Sequence, residues 1–215
     1  MTLAAMTLAE ALEPLYRSYL RRLDEMAARV PQEALLAEAV TRGEDGRIVP
    51  GEDGLPLRFD VADGQSGQTF EVHGTKADPP AAVEVQVGRV QVRLAPGNWE
   101  ELPVVLVFDG EPLAKDAEEA ADVLRAFAVV AAHAGFAPQR EARGTPGAGR
   151  WSGRLHSLRL DLREQELWGV FDLGTCPPAA LETLCAALSG YSEERVPLAY
   201  MRIGGKPPVD EPDGA

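Results

Sequence analysis

The sequence predicts an α+β fold, an antiparallel sheet with helices packed on one face, and three stretches carry that expectation. Residues 102–136 read as a buried strand, a turn and an amphipathic helix. Residues 83–94 read as a tight β-hairpin. Residues 158–173 read as a second hairpin lying between two helical segments. The order from residue 102 onward is then β-α-β-β-α-β, the pattern of a ferredoxin-like split βαβ sandwich, preceded by an N-terminal helix and a β-meander.

At the start of the chain, Thr7 and Glu10 form a capping-box pattern. Leu12, Leu15, Tyr16, Tyr19, Leu20, Leu23, Met26, Ala27 and Val30 follow on one helical face. Pro14 predicts a kink or restart, and Pro31 separates this helix from a second helical run over 32–40. The stripe reads as core, with a homodimer surface carrying Tyr16 and Tyr19 as the alternative. Residues 41–56 hold four glycines, two prolines and six charged residues without periodicity, which predicts a long mobile connection or a domain joint.

Short alternating runs come next. Leu57, Phe59 and Val61 pair with Phe70 and Val72 across a loop at 63–67. In the 83–94 hairpin, Gly88-Arg89 suits a type II′ turn, which sets Val87 opposite Val90 and Val85 opposite Val92. Residues 104–108 are an unbroken apolar run closed by Asp109-Gly110, so this strand should be covered on both faces. The next helix is expected to start at Asp116 as N-cap with Glu119 completing the box, and to end at Gly135. Its stripe is Ala120, Val123, Leu124, Phe127, Val130, Ala131 and Ala134. Ala126, Val129 and Ala132 on its outer side call for a roof, for which the N-terminal helix is the candidate. After a Gly/Pro-rich loop over 137–153, strands follow around Leu158, Leu160 and Leu162 and over 167–173. A helix over 178–189 ending at Gly190 and a last strand over 196–203 complete the chain.

Three domain segments emerge: 1–56 (helix and loop), 57–204 (sheet domain) and 205–215 (disordered acidic tail), with a single domain over 1–204 as the alternative. Taken whole, helix, meander, helix, hairpin, helix and last strand is an element order similar to that of type III secretion chaperones. Those are small acidic proteins that hold other polypeptides, and the resemblance rests on element order alone.

A net charge of −13 argues against nucleic-acid backbone binding, which needs a basic surface. No stretch approaches the roughly 18 apolar residues of a membrane span, and no leader is apparent, so a cytoplasmic protein is expected. Cys176 and Cys185 have no zinc or disulfide spacing. Cys185 lies on an apolar stripe, and Cys176 stands at a helix start, where a thiol pKa can fall. The Gly-rich 144–149 lacks the lysine of a phosphate loop and precedes a strand, so that reading is rejected.

What remains is a basic island. Arg140, Arg143, Arg150 and Arg154 surround Trp151, a set able to hold a phosphate, a carboxylate or an acidic partner segment. Trp99 either closes the core edge or stands as an exposed anchor, and Trp168 should be packed mid-strand. His73, His133 and His156 have no ligand spacing, and His156 shares the core parity of Leu158 and Leu160. No cofactor, metal or catalytic motif is read. The expected function is a non-enzymatic protein-binding module, such as an acidic adaptor, inhibitor, immunity-type or secretion-chaperone-like protein. The alternative is a ligand-binding protein or enzyme using the 140–154 loop.

Overall fold

A computed structural model describes residues 6–77, 83–136, 151–195 and 197–206. Its first element, α1 (Leu8–Ala27), is capped as its sequence dictates: the Thr7 hydroxyl accepts from the Glu10 N–H, and the Glu10 carboxylate accepts from the Thr7 N–H. Pro14 does not restart it: the helix runs unbroken through that position. The ring is exposed and removes one hydrogen bond, while nine residues of the helix are buried and hold it as one piece.

The predicted helical run after Pro31 is instead β1 (Leu35–Val40), which pairs antiparallel with β2 (Arg58–Asp63), itself paired with β3 (Thr69–Phe70). Ladder bonds to β2 outweigh the helical preference of Leu-Leu-Ala-Glu-Ala, because tertiary pairing overrides local propensity. The expected mobile connection over 41–56 is also corrected. It is folded by bridges Arg42 to Ile48 and Pro50 to Pro56, with Gly43 N–H donating to the Arg47 carbonyl (2.9 Å) and Gly51 N–H to that of Leu55 (2.7 Å).

The main sheet comprises β5 (Glu84–Val87), β6 (Val90–Leu94), β8 (Leu102–Phe108), β9 (Ser157–Arg163), β10 (Glu166–Asp172) and β11 (Leu198–Ile203), in the order β5-β6-β11-β8-β10-β9. A short pair, β4 (Lys76–Ala77) and β7 (Gly97–Asn98), stands apart. All neighbours in the main sheet are antiparallel except β11 with β6, which run parallel, so the sheet is mixed where a purely antiparallel one was expected. The β5–β6 register is the predicted one, and Gly88 has φ +57. A Cβ there would also stand 2.3 Å from the Ser189 hydroxyl, which accepts from the Arg89 N–H.

Two further helices, α2 (Ala114–His133) and α3 (Pro178–Glu194), complete an α+β fold with three helices among the described residues. α2 starts ahead of the predicted Asp116, with Leu113 at the N-cap and no side-chain cap. Tyr191 of α3 donates to the Asp116 carbonyl (2.7 Å) and ties that end down by a tertiary bond. The same contact carries α3 past Gly190, where a stop was expected. α1 packs against α3, β4 and β2, so it does not roof α2. Val129 and Val130 are exposed, and Val130 therefore leaves the predicted core stripe, while Phe127 is half-buried against Phe136 and Phe171.

Leu102, Val104, Leu106 and Phe108 point into one core with Leu124, Phe171, Leu184 and Ile203. On the opposite face Val105 is also buried, because its register neighbours Trp168 and Arg202 lie over it, with the Arg202 guanidinium 4.9 Å from the indole centre. The predicted double cover of this strand thus comes from long side chains on one face. No helix among the described residues is long and apolar enough to cross a membrane.

Candidate functional site

Among the described residues the two larger sheets share no hydrogen-bonded strand pair, and where they meet, charged side chains join them. Strand β1 delivers Glu38, β2 delivers Asp60, β10 ends at Asp172, and the chain entering β9 carries His156. The imidazole is buried (7% exposed), with Nδ1 3.4 Å from Asp60 Oδ1 and 3.8 Å from Asp172 Oδ2, and Nε2 3.8 Å from Glu38 Oε1.

Each carboxylate is itself positioned. Glu38 sits at φ +47, uncommon for a residue with a side chain, and is held there by the Ser152 N–H, the Thr175 hydroxyl and the Arg58 guanidinium, the last on its carbonyl. Asp60 accepts from the Tyr19 hydroxyl of α1 and from the Val72 N–H (2.6 Å). Asp172 accepts from the Gly174 N–H (3.0 Å). Gly174, at φ +50, lets the chain wrap the imidazole, since a Cβ there would lie 2.5 Å from the ring.

The electrostatics follow from burial and neighbours. Burial opposes a charge on His156, but Asp172, Glu38 and Asp60 outweigh it and raise its pKa to about 9. Burial likewise opposes ionisation of Glu38, yet His156, Ser152 and Thr175 bring it down to about 2. Asp172 is raised to about 6 by burial, with Asp60 adding to the rise, while His156 and the Gly174 N–H act the other way. Tyr19 is pushed well above its usual range by burial and by Asp60. Near pH 7 the cluster therefore holds an imidazolium between anions.

Asp60, His156 and Asp172 of this cluster line a cleft of about 580 Å³ between the small sheet and the start of β9. One wall is 51–58, the other 157–160, and Glu71, His73 and Glu100 stand at its margin. The Asp53 carboxylate crosses between the walls to accept the Leu158 N–H (2.9 Å).

No protein-family model, curated protein or solved structure matches this chain. The site is therefore read from its own geometry.

The residues singled out in the sequence fall elsewhere. Arg140, Arg143 and Arg150 lie outside the described residues. Trp151 is buried in the core, and Arg154, half-buried, donates its N–H to Thr175 behind Glu38 and does not line the cleft. Trp99 is fully buried, donating to the Gly174 carbonyl (2.9 Å) with its ring 5.4 Å from Tyr16, so it closes the core and is no exposed anchor. Tyr16 and Tyr19 are likewise enclosed within the chain. Cys176 and Cys185 are buried free thiols whose pKa values burial pushes up, which corrects the lowered value considered for Cys176. Among the described residues no group of His, Cys, Asp and Glu is arranged to hold a metal ion.

His156 was visible in the sequence through its core parity. Glu38 is hidden by the helical reading of its segment, and Asp60 and Asp172 are not singled out by any motif or spacing. The signal available for Glu38 and Asp60 is a charged residue inside a strand among apolar neighbours.

Proposed function

We propose that the chain is a non-enzymatic protein-binding module whose cleft receives a basic side chain of a partner polypeptide. The observation carrying this reading is the composition of the cleft. Glu52, Asp53, Asp60, Glu71, Glu100 and Asp172 outnumber Arg58, Arg159 and the His156 imidazolium. Beside them Leu55, Pro56, Leu57, Val72, Leu158 and Leu160 form apolar wall. A lysine or arginine, with its aliphatic stem and cationic head, is complementary to both parts. The chain's net charge of −13 favours encounter with such a partner.

His156, kept protonated by its neighbours, has no lone pair with which to act as a general base near pH 7, and its charge is instead available to hold the carboxylates of the cleft in place. We also read β8-α2-β9-β10-α3-β11, with the order β11-β8-β10-β9, as a ferredoxin-like split βαβ sandwich. That scaffold leaves function to the sites built on it. A cytoplasmic adaptor, inhibitor, immunity-type protein or polypeptide-holding chaperone fits the reading, and two buried free thiols suit that compartment.

The test is titration with a lysine-rich decapeptide and its glutamate-rich counterpart. The basic peptide alone should bind, more weakly as salt rises. The Glu52→Gln/Glu71→Gln double variant should lower its affinity by up to roughly thirtyfold, since each of the two exposed pairs contributes at most about 1 kcal/mol. Equal binding of both peptides, or of wild type and variant, would overturn the proposal.

A further inference from the structure

We infer that His156 is a latch that holds the small sheet β1-β2-β3 against the main sheet, and that releasing it opens the cleft. This goes beyond the binding function and does not depend on it. With no strand pairing across the junction among the described residues, the polar contacts that span it are made by side chains. His156 meets Glu38 and Asp60, Glu38 accepts from Ser152 and Thr175, Asp53 accepts from Leu158, and Arg58 NH2 donates to the Ala132 carbonyl (3.0 Å). Among the described residues of the main sheet's side, His156 stands within ion-pair distance of both β1 (Glu38, 3.8 Å) and β2 (Asp60, 3.4 Å), and it lines the cleft.

The groups facing the imidazole come from every element around it: Glu38 of β1, Asp60 of β2 and Asp172 of β10. Tyr19 of α1 stands behind Asp60, and Arg58 stands behind Glu38. All three nearest groups are acids. A neutral ring would therefore leave buried carboxylates facing one another without their counter-charge, across a seam that has no backbone ladder among the described residues. The raised pKa of His156 is consistent with a closed latch at neutral pH. Val61 and Val72 remain in the shared core and limit the opening to a loosening of the small sheet.

Hydrogen exchange on the full chain at pH 7 and pH 10, corrected for intrinsic exchange, tests this. In wild type, amides of 35–40, 58–63 and 69–72 should lose at least about tenfold in protection relative to those of 102–108 and 166–172, corresponding to one pKa unit of the latch. His156→Gln should show the lower protection already at pH 7. Parallel changes in both sheets of the wild type, or no change in the small sheet, would overturn the latch. The wild-type measurement alone decides the matter if the variant does not fold.

Discussion

His156 links the small sheet, the main sheet and, through Asp60, α1, and its charge has a definite sign of linkage to stability. Its folded pKa of about 9 lies above the unfolded 6.5, so its contribution is fully present below pH 6.5 and is lost as pH rises through 9. The size is about 3 kcal/mol at most. Glu38 works in the opposite direction: its folded value of about 2 lies below 4.5, so its contribution is present above pH 4.5 and lost as pH falls towards 2. Asp172, raised to about 6, favours the fold when protonated, and that contribution fades as pH rises from 3.8 through 6. Chemical denaturation across pH should therefore show stability falling from mildly acidic conditions to pH 9, and His156→Gln should flatten the fall above pH 6.5. A wild-type midpoint unchanged between pH 6.5 and 9 would contradict the charged cluster. The parity of His156 was legible in the sequence. Its partners were not, because three of them come from strands far apart in the chain, and no local spacing records such a meeting.

Elements were legible where the local chemistry was complete. The α1 capping box and the β5–β6 hairpin follow from residues a few positions apart. β1 and the far end of α3 were misread because pairing with β2 and docking of Tyr191 override local preference. Two glycines test this distinction. Gly88→Val combines a left-handed backbone with collision against Ser189, and should cost about 2 kcal/mol or more. A loss under about 0.5 kcal/mol in a denaturant titration would reject the II′ turn. Gly190 lies within α3 with open space around it, so Gly190→Ala should stabilise by about 0.5–1 kcal/mol. Destabilisation by that change would show that α3 ends at Gly190 after all.

At the scale of the whole molecule, two sheets meet through charged side chains, and the meeting leaves an acidic, partly apolar cleft. Composition made the acid excess legible but not where it concentrates, and it drew attention to the arginines of 140–154 because they were the local exception to the net charge. The cleft arises instead from tertiary placement of 51–60, 71–73, 100 and 156–160 with Asp172, segments that no single sequence window contains. The central claim is that this cleft is the recognition surface for a basic polypeptide. Amide chemical-shift mapping by NMR during titration of the lysine-rich decapeptide tests it most directly. The account predicts saturable shifts at 51–60, 71–74 and 157–160 that diminish with salt, with the main sheet's outer face around Tyr200 and Arg202 unchanged. Shifts confined to that outer face or to the exposed end of α2, with the cleft amides unmoved, would contradict it.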